Sequence, residues 1–259
     1  MKRLVLLGAV LAGPAIAQDA APPSRIVTVG LGVQAVPGFP GDNGFQAAPL
    51  IFARVRRPGE PIPARSPDQG PSVRLIGPAD GVSFGPTIGF QGRRRNRDVG
   101  AAVGNVAFSV EPGVFVQGFV TPELRLRAEL RHGVTGHRGI VGDVAADYVL
   151  RGTGDSYVAT LGPRARFAGA RFNRSYFGVS DAAAAAIGEQ AIAPGAGLYA
   201  VGVAGGLLFQ LTPRWGLYAQ AGVDRLVGDA AESAIIRRFG ERTQLNAGAA
   251  ITYTFGVRR

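Results

Sequence analysis

The chain has 259 residues, no cysteine, and a formal charge of +10 from 28 Lys and Arg against 18 Asp and Glu. Without cysteines a secreted fold cannot lean on disulfides and needs another support, such as a large closed sheet. Beyond the N-terminal apolar run, no stretch reaches the 18 or so apolar residues of a membrane helix. Residues 198–211 come nearest and are interrupted by Gly202, Gly205, Gly206 and Gln210. A membrane location would therefore require a barrel.

Residues 1–17 read as a secretory signal peptide. Lys2 and Arg3 give the positive start, residues 4–11 the apolar core, and Ala15-Ile16-Ala17 the cleavage motif, with cleavage expected after Ala17. No Cys follows the site, so no lipoprotein anchor is expected. The remainder, 18–259, reads as one barrel domain. Removing Lys2 and Arg3 leaves +8, all of it on Arg, because Lys2 is the only lysine. Arg grips phosphate bidentately, which suits an anionic lipid surface; the codon bias of a GC-rich genome is the plainer reading. An exported chain does not meet nucleic acid.

From Arg25 onward short strands follow one another. The clearest is 122–131, where Leu124, Leu126, Ala128 and Leu130 alternate with Arg125, Arg127, Glu129 and Arg131. Segment 140–151 sets Ile140, Val144, Tyr148 and Leu150 against Asp143, Ala145, Asp147 and Arg151. Trp215, Leu217, Ala219, Ala221 and Val223 alternate with smaller or polar residues, as do Leu245, Ala247, Ala249, Ile251, Tyr253 and Phe255. Alternating segments of about ten residues are the signature of an antiparallel transmembrane β-barrel. Arg on the lipid face at mid-membrane costs about 2–4 kcal/mol. Arg125, Arg127, Glu129, Arg131, Asp143 and Asp147 are therefore expected to face the lumen, where neighbouring strands can pair opposite charges.

Tight turns are expected at Thr121-Pro122, 152–155 and Thr212-Pro213, and long loops at 92–105, 132–138, 169–197 and 227–241. Short periplasmic turns opposite long outer loops are typical of outer-membrane barrels. Eleven strands can be counted, including one at 72–78. Single-chain bacterial barrels have even numbers, so ten or twelve are expected. Twelve is preferred, with a bent strand hidden in the stretch 37–71, which holds eight prolines. The alanine-rich piece 181–187 reads as a short loop helix. The last strand closes on the aromatic Phe255, four residues before the end.

No catalytic, cofactor or metal site is expected. His132 and His137 fall in one loop, and Ser175, Ser180 and Asp143 exist, but no spacing brings nucleophile and base within reach. The two His and scattered carboxylates do not make a metal site. The Gly-rich run 202–206 lacks the Lys and the strand–loop–helix context of a phosphate loop. Arg93, Arg94, Arg95 and Arg97 form a loop cluster, and Arg237 and Arg238 a second. Either can contact lipopolysaccharide phosphates or remain solvated.

Three segments resemble the MipA/OmpV family of MltA-interacting outer-membrane proteins: AELRHGVTGHRGIVGD (128–143), SYFGVSDAAAAA (175–186) and RLVGDAAESAI (225–235). The most specific is the loop Tyr176, Phe177, Gly178, Val179 and Ser180. The resemblance runs from about 105 to 255, while the stretch 57–71 departs from it. It implies a cell-envelope scaffold joining a murein transglycosylase to a murein synthase; other members are described as adhesins or porin-like proteins. The expected protein is thus a non-enzymatic outer-membrane barrel of 10–12 strands, with outer-membrane lipid and lipopolysaccharide as surroundings. A small pore or a surface adhesin is the first alternative. A soluble periplasmic barrel binding an apolar ligand is the second.

Overall fold

The computed structural model describes residues 23–258. The expected signal peptide and its Ala17 cleavage site lie outside the described residues. Ten antiparallel strands form one sheet: β1 (Arg25–Pro37), β2 (Phe45–Arg56), β3 (Ser83–Gln91), β4 (Ser109–Phe119), β5 (Leu124–His132), β6 (Ile140–Arg151), β7 (Tyr157–Ala168), β8 (Gly197–Gln210), β9 (Trp215–Leu226) and β10 (Thr243–Val257). The order is β2-β1-β10-β9-β8-β7-β6-β5-β4-β3. The sheet curls until β10 pairs with β1, from Arg25↔Val257 to Ala35↔Ala247. This is the up-and-down antiparallel barrel class.

The preference for twelve strands is corrected to ten. The Pro-rich stretch supplies no regular strand, because proline has no N–H to give a ladder. Residues 72–76 do reach the wall and bond to the free edge of β3, but they form the isolated bridges Ser72↔Thr87 and Ile76↔Phe84 there and no continuous strand. Among the described residues no ladder joins β2 to β3.

The period-two pattern sorts side chains as expected. Leu31, Ile51, Leu161 and Ile251 point outward and are each more than half exposed, while Thr28, Arg125, Asp147 and Thr252 are buried inside. A register slip of one residue would turn every lumen charge to the outside, so burial of one face fixes the pairing. Aromatic rings mark both edges of the apolar band. Tyr253 lies between Trp215 and Phe255, at 4.7 and 6.1 Å between ring centroids. Phe90 and Phe108 stack at 6.1 Å at the opposite edge. Girdles of this kind sit at the two membrane–water interfaces.

The connections differ at the two ends. At one end they are tight. Thr121 Oγ1 accepts the Leu124 N–H at 3.1 Å, and Thr212 Oγ1 accepts the Trp215 N–H at 2.9 Å. Both Thr-Pro turns thus use the same hydroxyl device. The other end carries α1 (Asn96–Val99), α2 (Ala170–Phe177), α3 (Asp181–Ile187), α4 (Gly228–Glu232) and α5 (Ala234–Phe239). The alanine run is α3, capped by Ser180, whose side chain accepts the Ala183 N–H. These helices cover the barrel end around a core of Phe39, Val99, Phe172, Tyr176, Phe177, Ile235 and Ile236. A register shift between Arg166 and Phe167 leaves an extra residue in β8, so Tyr199 and Ala200 are both buried. Tyr199 thereby reaches Phe172, at 5.1 Å between rings.

Ile251 stands opposite Leu31 and Leu217 on the outer face. Replacing it with Arg is expected to destabilise the vesicle-inserted barrel by about 2–4 kcal/mol, read from urea titration by unboiled gel mobility. An unchanged midpoint would show that this face does not meet lipid.

Candidate functional site

The lumen is filled with charge. Asp147, fully buried on β6, accepts Arg125 Nη2 and Arg164 Nη2, each at 2.7 Å. Arg131 Nε meets Glu111 at 3.2 Å, Nη1 meets Glu129 at 2.6 Å and Nη2 meets Asp143 at 2.5 Å. The register explains this fork. Glu129 stands directly opposite Asp143, a like-charge pair that destabilises a sheet, and Arg131 bridges the two. Arg127 bonds Glu129 at 2.7 Å and Gln117 at 2.7 Å, and lies 3.9 Å over the Phe115 ring. Arg166 joins Asp143 and Asp224, both at 3.0 Å. The structure therefore brings together the six lumen residues read from sequence, and it adds Glu111, Arg164, Arg166 and Asp224. Arg164 and Arg166 alternate with Ala165 and Phe167, a pattern from which they could have been read.

A second contributor gave no such signal. After β2 the chain turns back into the barrel. The Ile62 N–H donates to Asp155 at 2.6 Å, and its carbonyl accepts Arg151 Nη1 at 2.7 Å. The Ala64 carbonyl accepts Arg125 Nη1 at 2.7 Å. Ser66 Oγ donates to Asp147 at 2.5 Å and accepts Arg125 Nη2. Asp68 takes Arg164 Nε at 3.0 Å and Arg166 at 3.3 Å. These partners climb the wall, so residues 62–68 run up the inside. The chain then leaves through the seam between β2 and β3, where the Pro71 carbonyl accepts the Ile88 N–H at 3.0 Å. A Cβ on Gly70 would lie 2.2 Å from the Ile88 carbonyl oxygen, so the crossing needs glycine there. Beside this segment, Ser66, Asp68, Arg127, Glu129 and Asp143 line a cavity of about 20 Å³, room for about one water.

The capped end corrects part of the arginine-loop reading. Arg94 is buried, and its guanidinium donates to the carbonyls of Tyr176 at 2.5 Å, Val103 at 3.3 Å and Gly104 at 3.2 Å. Burial pushes it down to about 10, so it stays cationic at neutral pH. It cannot meet lipopolysaccharide. Arg93 and Arg97 are exposed; Arg95 and Arg97 both lean on Asp98. Arg237 pairs with Glu189 at 2.7 Å, and Arg238 with the same carboxylate at 3.8 Å. The Tyr176 to Ser180 loop is not a surface motif. Tyr176, Phe177 and Val179 form the cap core, Tyr176 Oη donates to the Gly92 carbonyl at 2.9 Å, and Ser233 Oγ donates to the Phe177 carbonyl at 2.7 Å. Burial raises the Tyr176 phenol, which remains a neutral donor.

The two histidines separate. His132 is exposed on the outer face, whereas His137 is buried. His137 Nδ1 accepts the Gly139 N–H at 2.9 Å, which puts the ring hydrogen on Nε2, 2.9 Å from Glu111 Oε1. Ser175 Oγ donates to the Arg171 carbonyl, Ser180 caps α3, and Asp143 is held by Arg131 and Arg166. Among the described residues, these side chains lie apart and are bonded to other partners. Among the described residues no group of three or more His, Cys, Asp or Glu is placed to hold a metal.

An apolar outer band between aromatic girdles, around a charged and self-filled lumen, defines an outer-membrane β-barrel. Solved barrels share the general form at low similarity. The KdgM porin is 10% identical, with a TM-score of 0.37 over 89% of this chain and 99% of that one. An outer-membrane channel from Pseudomonas putida F1 is 10% identical, with a TM-score of 0.43 over 94% of this chain and 99% of that one. Comparison with curated proteins finds no match. The family model described as MltA-interacting protein MipA matches residues 29–255. The chain belongs to the MipA family and is an outer-membrane protein, as its sequence resemblance implied.

Asp147→Asn would leave Arg125 and Arg164 without their shared carboxylate. The expected loss is about 3–5 kcal/mol, because removing one partner of a buried pair strands the other. Arg93→Gln should leave the unfolding midpoint unchanged. Equal effects of the two in urea titrations would sink the lumen assignment.

Proposed function

We propose that this protein is a non-enzymatic envelope scaffold whose barrel is a closed anchor. On this reading it docks murein-remodelling enzymes, a lytic transglycosylase first and a murein synthase with it, on its periplasmic side. The observation that carries the reading is the filled lumen. A barrel of this width has little room beyond its own side chains, and residues 62–68 occupy what is left, bonded to Arg125, Asp147 and Arg164. The family description names an interaction with MltA, which supports a transglycosylase as the partner. The periplasmic side offers the turns at 120–123, 152–156 and 211–214 together with the returns at 57–61 and 77–82. The capped end faces outward, in contact with lipopolysaccharide.

A small pore is the second reading, and one observation favours it. The inner segment is held by hydrogen bonds and ion pairs, with Ile62 its buried apolar anchor, and such contacts exchange with water more readily than apolar packing does. A soluble barrel with an apolar interior does not fit a charged lumen inside an apolar wall.

The test combines two measurements on the folded barrel. Retention of a purified lytic murein transglycosylase on the immobilised protein, with no steady conductance in planar bilayers, is the expected result. Steady ion-selective steps without retention would replace the scaffold with a pore.

A further inference from the structure

We propose that Arg138, Arg171 and Arg174 form a phosphate site for lipid A, the phosphorylated glycolipid of the outer leaflet. The site rests on the outer-membrane reading and on the outward orientation of the long loops.

The turn between β5 and β6 is built to project Arg138. His137 is buried beneath it, pinned by Glu111 and the Gly139 N–H. The backbone N–H of His137 donates to Ser109 Oγ at 3.1 Å. With His137 fixed inward, the next residue is forced outward in a left-handed conformation, φ 49°. That conformation is unfavourable for an Arg and is kept where the surroundings impose it. The turn also abuts α2: a Cβ on Gly139 would lie 2.7 Å from the Phe172 nitrogen. Helix α2 buries Phe172, Asn173, Tyr176 and Phe177, and leaves Arg171 and Arg174, three residues apart, exposed on its outer side. Arg171 Nη1 lies 3.4 Å from the Arg138 backbone carbonyl, so the turn and α2 meet at these two exposed arginines.

Apart from the exposed Asp181 at the start of α3, the carboxylates of this end are engaged elsewhere. Asp98 holds Arg95 and Arg97, Glu189 holds Arg237 and Arg238, and Asp229 takes the Gly195 N–H. Among the described residues none pairs with Arg138, Arg171 or Arg174. Cations left unpaired in this way favour an outside anion. What lies below them identifies its carrier. Ile140 follows Arg138 by two residues and Phe167 precedes Arg171 by four; both face outward and are exposed at the top of the apolar band. Phosphate above and acyl chains below is the profile of an amphiphile, and guanidinium forks suit phosphate.

The test is a titration of the folded, detergent-solubilised barrel with bisphosphorylated lipid A, read by native mass spectrometry. Wild type is expected to bind, and Arg138→Gln/Arg171→Gln/Arg174→Gln to bind about tenfold more weakly or worse. Arg171→Gln/Arg174→Gln keeps Arg138, the left-handed residue of the turn, and should still weaken binding, should the triple variant not fold. Unboiled gel mobility reports the barrel separately, so loss of the site is not confused with loss of the fold. Unchanged affinity in a folded variant overturns the proposal, as does equal affinity for dephosphorylated lipid A. Displacement of lipid A by an equal concentration of inorganic phosphate would also overturn it, in favour of a free-anion site.

Discussion

The structure depends on what happens to buried arginine. Hydrocarbon outside the wall rejects charge, and a narrow lumen cannot hydrate it fully. Most buried guanidinium groups here find carboxylates or carbonyls within the protein, while Arg54 lies instead over the rings of Phe52 and Tyr218, at 5.1 and 5.4 Å. Asp147 shows the solution. It draws Arg125 from β5, Arg164 from β7 and Ser66 from the inner segment onto one carboxylate. The Arg131 fork does the same for Glu111, Glu129 and Asp143. Removing Asp147 would leave two buried cations without their shared carboxylate.

The inner segment follows from the same demand. Wall strands alone do not hold Arg125, Arg151 and Arg164, which also donate to the carbonyls of Ala64 and Ile62 and to Asp68. Bringing those groups inside requires the chain to enter the barrel and leave again. It leaves at Gly70 and Pro71, where β2 and β3 would otherwise meet. The ladder-free seam and the internal segment are one feature. Residues 72–76 then cover the lower edge of β3, so that the apolar outer face continues across Val73 and Leu75.

At the outer end the problem is apolar. Connections of this length bury enough surface to form a small helical domain, whose core is Phe172, Tyr176, Phe177, Ile235 and Ile236. The β8 bulge adds Tyr199 to it. Arg94 sits within this core because three carbonyls face it, and His137 sits at its edge because Glu111 reaches up from the lumen. The cap and the charged lumen therefore share a boundary at Glu111, which bonds both His137 and Arg131.

The sequence by itself determined the wall. Strict alternation in 124–132, 140–151, 215–226 and 243–257 is a local property, and the cost of charge in lipid leaves one choice of inward face. It also separated short turns from long loops, because Thr-Pro turns are recognisable over a few residues. The family loop at 176–180 was legible as a motif, but not as the core of the cap, since its burial comes from segments far apart in the chain. The tertiary structure decided the rest. Residues 62–68 have no periodicity, and their place in the lumen is set by partners about 60 to 100 positions away, such as Arg125 and Arg164. Arg94 looked like its neighbours Arg93 and Arg95 until the cap placed three carbonyls around it. Strand number turned on the same point. Prolines show where a ladder cannot form, but only the filled lumen shows where that stretch of chain goes instead.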